Sequence, residues 1–359
     1  MTKNRIYGLD LLRVLSMFGI IGLHIMNAGG LMNAACSPSQ RVIVHIFASI
    51  CYCSVNTFAM LTGFLYIEKK RVRSSNLIDL VMVVAFYCIS ILAIFLCLKP
   101  ELFANSRSLV IYSLFPLLKG RYWFITSYVL VFMMIPYLNA MIGSLPKQQF
   151  GKMLLILFVL LSLVPTFGLQ DYFKTMDGYS PAWLIFCYLI GAYIKLYYDE
   201  HRSKRCSKSL IIFIVNVFVV TLFWLSAQNT VIGAYIQLYE YTSPFMVINA
   251  ACLVFAYSQI SIPNDKVKKV LLRLSNSAFG VYIIHSHILI YDFFLTDAFS
   301  NAGIKGFWVY SLILIISMLG IYLVCWILDE IRIFIFRVLC INRLSNWLGE
   351  KVDRFLNWC

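Results

Sequence analysis

The sequence predicts an all-α integral membrane protein, a bundle of about ten transmembrane helices with both termini cytoplasmic. Three observations carry that prediction. Of the 359 residues, 61% are hydrophobic and 13% charged, whereas a soluble domain is about 45–50% apolar and about 25% charged. Apolar runs long enough to cross a hydrocarbon core of about 30 Å recur from end to end, and no polar block between them suffices for a soluble domain. The basic residues, finally, divide unevenly between alternate connections.

Ten apolar segments follow from the first span onward, at 7–27, 42–66, 77–98, 122–142, 152–169, 182–198, 209–227, 244–261, 278–296 and 307–331. Residues 107–118 (RSLVIYSLFPLL) are too short to cross and end at Pro116, so they read as an interfacial or re-entrant helix. With the N-terminus inside, the inner connections hold 22 of the 30 Lys and Arg residues, the outer ones 7, and Arg13 lies within the first span. Such an excess on one side is the positive-inside pattern of a protein with an even number of spans. It also accounts for the net charge of +14 without nucleic acid as a partner.

The whole chain, 1–359, reads as a single membrane domain, its residues 340–359 forming an amphipathic cytoplasmic tail on the inner surface. Nearly all of the eleven cysteines lie inside apolar runs. That distribution suits neither a disulfide framework nor a metal site. The basic and apolar start resembles a signal peptide, and NAAC at 33–36 a lipoprotein box. A cleavable apolar region, however, would not carry Arg13 and His24, and Asn33 stands where such a box wants an aliphatic residue.

The first span, LDLLRVLSMFGIIGLHI at 9–25, is interrupted by Asp10, Arg13 and His24. Eleven residues separate Arg13 from His24, which is three helical turns plus about 20°, so the two share one stripe about 16 Å apart along the axis. Asp10 falls within about 40° of the same line. Ionisable groups at membrane depth read as a functional site or as structural pairs, and the spacing alone leaves both open. Other polar features gather elsewhere: the Thr62-Gly63 pair and the basic cluster at 69–73, the outer-face Arg121, Tyr122 and Trp123, and the ninth span with Tyr282, His285 and His287. His285 shares a face with Tyr282, while His287 points about 200° away from His285. His45 reads as a structural hydrogen-bonding residue.

Four of these segments, in this order, resemble the acyltransferase-3 family of bacterial membrane O-acyltransferases. LDLLRVLSMFGIIGLH is similar to the family's LDxLR and Arg-x10-His pattern, with Arg13 and His24 in the paired positions. FAMLTGFL (58–65) is similar to its FFxxSGFL, with Thr62 for Ser; RYWFI with PYLN (121–125, 136–139) to its LWFL region; and SAFGVYIIH (277–285) to its SfgiYliH. Ser127 and Tyr128 stand where the branch with a fused SGNH domain carries Glu, which points to the single-domain branch. The family's Arg-x-x-Arg after the second span is imperfect here, as KKRVR.

The resemblance implies a multi-pass protein of the bacterial inner membrane that transfers an acyl group, acetyl above all, from cytoplasmic acyl-CoA to a hydroxyl of a cell-surface or cell-wall glycan. The implied partners are acyl-CoA, a glycan or lipid-linked saccharide and the bilayer, with acetyl-CoA as co-substrate and no permanently bound cofactor or metal. His24 would act as general base or acyl relay, Arg13 would orient the donor, and Asp10 would hold Arg13. Lys70, Arg71 and Arg73 suit the phosphates of CoA, and Arg121, Trp123, Tyr282 and His285 suit the acceptor. A transporter or flippase for a saccharide or lipid-linked intermediate is the alternative that span count and buried charge also fit.

Overall fold

The computed structural model describes residues 5–69, 71–104, 106–167, 171–197, 203–227, 230–236 and 238–355. Among them are helices and one isolated bridge, Phe167 to Ile236, but no strand. The helices used below are α1 (Tyr7–Met26), α2 (Pro38–Cys51), α3 (Ser54–Tyr66), α4 (Ser74–Leu98), α5 (Arg107–Leu114), α6 (Trp123–Ser144), α7 (Lys147–Thr166), α8 (Pro181–Tyr197), α9 (Ser203–Ala227), α10 (Pro244–Tyr257), α11 (Asp265–His285), α12 (Phe307–Val338) and α13 (Ile341–Phe355).

Over the described residues, nine of the ten apolar segments overlap one of these helices or, at 42–66, the pair α2 and α3, and the remaining one, 278–296, overlaps the end of α11 and the segment after it. Among the described residues, seven stretches are long and apolar enough to cross a membrane, with α2 and α3 forming one of them, and there are eight if α11 is joined to the segment after it. α8 and α10 have 17 and 14 residues, rising about 26 and 21 Å against a core of about 30 Å. The ninth segment is not one straight helix, because α11 turns by 66° into Ile288–Leu295. The turn falls at Ser286 and His287, where His287 Nδ1 accepts the Leu289 N–H and so starts the next segment as its N-cap.

α1 is the central element. It packs against α2, α3, α10, α11 and α12, which is why 72% of its apolar window is buried inside the protein, whereas α12 and α7, at 17% each, are mostly peripheral. A helix surrounded on all sides can keep polar side chains that a lipid-facing helix cannot.

α3 and α8 form the closest crossing. A Cβ on Gly63 would sit 1.9 Å from the Tyr188 carbonyl oxygen, and one on Gly191 would sit 1.9 Å from that of Met60. Two backbones therefore touch at a pair of glycines, as in small-residue crossings of membrane helices. Asn139 of α6 closes the end of α3: its Nδ2 donates to the carbonyls of Tyr66 and Lys69, both at 2.9 Å, while its Oδ1 accepts the Tyr188 hydroxyl. The terminal carbonyls of a helix need such partners. Asn56, fully buried, ties α3 to α8 by accepting the Trp183 indole N–H, and ties it to residue 241 by donating to the Tyr241 carbonyl.

The amphipathic tail predicted at 340–359 contains α13, which reaches back to α4. Asp353 accepts both the N–H and the hydroxyl of Ser74, serving α4 as an N-terminal cap from the far end of the chain. α5, the short helix predicted at 107–118, spans only eight residues.

Replacing Gly63 with Ala puts a methyl group against a carbonyl that cannot yield. The detergent-solubilised protein is expected to lose about 1–3 kcal/mol of stability, read as a lowered melting temperature; an unchanged melting temperature would contradict the crossing.

Candidate active site

The stripe on α1 finds its partners on α11, which runs beside it in the same direction. At one level Arg13 Nη1 donates to Ser275 Oγ at 3.0 Å, and Ser275 Oγ donates to Asp10 Oδ1 at 2.9 Å. Ten residues farther along α11, His285 Nε2 stands 3.1 Å from His24 Nδ1. Two parallel helices are thus joined at two levels, about three turns apart on each.

Asp10 is only 4% exposed, and its principal partner is Arg5. Arg5 Nε and Nη2 donate to the two carboxylate oxygens at 2.7 and 2.8 Å, a bidentate pair, whereas Arg13 approaches Asp10 at 3.6 Å. Asp10 accordingly holds Arg13 chiefly through Ser275. Arg5 lies ahead of the span, where the sequence shows it only as part of a basic lead; its spacing of five from Asp10 is not a helical pairing distance.

Between the two levels lies a cavity of about 330 Å³, at the lower end of the range of small-molecule sites. Arg13 and His24 both line it, together with Thr62, Trp123, Tyr128, Tyr282 and, among residues not singled out from the sequence, Tyr66, Tyr241, Ser275 and Asn276. Thr62 faces the cavity because neighbouring Gly63 lies against α8. Trp123 begins α6, stacks on Tyr241 and meets Tyr179 at a tilt of 55°; these two tyrosines stand in the connections before α10 and α8. Aromatic rings from three segments therefore meet here, with Trp123 and Tyr241 lining the cavity, a grouping no local sequence pattern shows.

The other predicted site residues lie elsewhere. His285 is 4% exposed and does not line this cavity; it stands behind His24, where the two rings also border a second, almost wholly apolar cavity of about 370 Å³ toward α12. Arg121 is exposed, its guanidinium over the Tyr112 ring at 5.3 Å. Arg71 and Arg73 are exposed at the start of α4 and do not line the cavity, and Lys70 lies outside the described residues. His45 stacks on Trp224 and meets the Tyr239 hydroxyl at 3.2 Å, a structural setting. Asp329, which no sequence motif marks, is fully buried and accepts hydrogen bonds from Arg332 and from the Tyr87 hydroxyl.

A family model, the acyltransferase domain, matches residues 6–329. The chain belongs to the acyltransferase-3 family. Every residue of the cavity and both levels of the α1–α11 pairing except Arg5 fall inside that acyltransferase-3 match. No curated protein and no solved structure matches the chain. The family and the helices together make it a multi-pass membrane acyltransferase.

Next to the aromatic wall, in the connection before α10, burial and the nearby Asp177 push the Glu240 carboxyl from its ordinary 4.5 up to about 7. The unfolded chain gives up this proton near 4.5 and the folded chain only near 7, so folding loses stability as pH rises between those values. Glu240→Gln removes that loss. Its melting temperature is expected to equal the wild type's at pH 4, to exceed it progressively up to pH 7, and to keep a constant advantage above.

Proposed function

We propose that the acyltransferase takes its acyl group, acetyl in the first instance, from acyl-CoA and passes it to a hydroxyl of a cell-surface or cell-wall glycan. The observation that carries this reading is a single cavity with a guanidinium at one end and an imidazole about 16 Å away at the other. Acyl-CoA has matching ends: anionic phosphates and, an extended pantetheine arm away, a thioester. Arg13 is the cavity's cation and would take a phosphate or the donor's amide carbonyls by charge-assisted hydrogen bonds. Asp10, Arg5 and Ser275 fix its position. Arg71 and Arg73, with Lys70, would meet the nucleotide portion outside the cavity.

His24 in this reading is the general base. Its imidazole removes the proton of the acceptor hydroxyl as the oxygen attacks the thioester carbonyl, and returns it to the departing thiolate. Trp123, Tyr241 and Tyr282 would receive the acceptor, since aromatic faces suit the C–H faces of a sugar and hydroxyl groups its polar edge. Arg121 would contact only a longer acceptor that extends past the cavity. With the N-terminus inside, Arg13 lies toward the cytoplasmic donor and His24 toward the outer face, so the cavity would carry the acyl group across. The setting would be a bacterial inner membrane.

His24→Ala is expected to lower transfer from isotope-labelled acetyl-CoA to the host's envelope glycans by about 10²–10⁴-fold. The protein should still insert in the membrane and bind CoA. Undiminished transfer by this variant would remove His24 from the mechanism. Arg13→Ala should raise the KM for acetyl-CoA, and Arg13→Lys should restore it in part, because lysine keeps the charge but loses the planar fork.

A further inference from the structure

Three groups in one line determine where the protons of the histidine pair sit. His285 Nδ1 lies 2.6 Å from the carbonyl oxygen of Val281. A carbonyl can only accept, so Nδ1 carries the hydrogen. Among the described residues no carboxylate pairs with either ring, and a charge at this depth without a counter-ion is costly. In the neutral ring one nitrogen donates and the other accepts, which leaves a lone pair on His285 Nε2. His24 Nδ1, 3.1 Å away, must then be the donor, since the opposite tautomer would set two lone pairs against each other. The remaining lone pair of His24 is on Nε2.

From this chain of bonds we infer that His285 is a positioning residue: it takes its orientation from the Val281 carbonyl and holds the proton of His24 on Nδ1, leaving Nε2 as that ring's base. The inference rests on the reading of His24 as the general base and adds which nitrogen acts and what keeps it so. His285 borders the apolar cavity and not the one with Arg13, so it supports His24 from behind without touching substrate. The acceptor oxygen forms a bond to the acyl carbon, the C–S bond breaks, and the proton passes from hydroxyl to His24 Nε2 and on to the thiolate. Throughout, Nδ1–H keeps its bond to His285, because the neutral and protonated forms of His24 both donate from that atom.

An imidazole held in the wrong tautomer presents an N–H where a lone pair is needed, which costs up to about 10⁴ in kcat in a Ser-His-Asp triad. The test compares His285→Leu, which keeps bulk but accepts no hydrogen bond, with His285→Gln, whose amide oxygen can accept one. The full-length detergent-solubilised protein is assayed with labelled acetyl-CoA and the host's envelope glycan fraction, with melting temperatures measured alongside. His285→Leu should lose at least about 100-fold in kcat while KM for acetyl-CoA stays within about threefold, and His285→Gln should return to within about tenfold of wild type. The double variant His24→Ala/His285→Leu should be no slower than His24→Ala alone, as for residues acting as one unit.

Equal kcat for the Leu and Gln variants, or additive losses in the double variant, would overturn the inference. If the Leu variant does not fold, the Gln variant decides: kcat within about tenfold supports the positioning role and a greater loss overturns it. Inactive His24→Ala beside fully active His285→Leu refutes this inference alone. Active His24→Ala refutes the general-base reading itself.

Discussion

The parallel pairing of α1 with α11 is the constraint on which the rest of the site depends. In hydrocarbon every polar group must find a partner within the protein, and here the three charged or imidazole side chains of α1 find one at the matching height of α11: Arg13 and Asp10 at Ser275, His24 at His285. Two bonded levels fix both the rotation and the axial register of the helices. Between the levels the facing residues are apolar or aromatic, among them Met17, Ile20, Ala278 and Tyr282, and these hold a space open without closing it by hydrogen bonds.

The opposite walls depend on a second set of polar contacts, buried at Asn56 and half-buried at Asn139. α3 could not present Thr62 and Tyr66 to the cavity unless Gly63 and Gly191 let it lie directly against α8. Asn56 and Asn139 then lock that crossing, each satisfying partners on two other elements. Buried amide networks that are fully bonded specify one arrangement, because any other leaves a polar group stranded. Tyr241, which covers the cavity beside Trp123, is held through its backbone carbonyl by Asn56, so scaffold and binding wall share a residue.

Much of this was legible because membrane helices obey few rules. Ten apolar segments and the stripe on α1 follow from run length and from 3.6-residue periodicity, and both reappear as helices at the expected places. Less legible were features set by neighbours. The 66° turn after His285 arises where His287 leaves the helical face and caps the next segment, while hydropathy runs on unbroken. Arg121, predicted beside the acceptor, lies exposed on Tyr112, since adjacency to Trp123 in sequence does not put both on one face at the start of a helix. Arg5 gave no signal as a partner of Asp10, because it precedes the helix and reaches back to it.

Apolar length, ordered motifs and helical spacing are properties of a single chain segment, so the membrane class, the family and the line joining Asp10, Arg13 and His24 can be read from the order of amino acids alone. Which residues share a cavity, that Asp10 pairs first with Arg5, and that His285 stands behind His24 and outside the cavity with Arg13 depend on how the folded helices meet. The bonds that join α1 to α11 form between side chains 261, 262 and 265 residues apart on different helices. Their meeting is set by how glycines and buried amides allow those helices to pack.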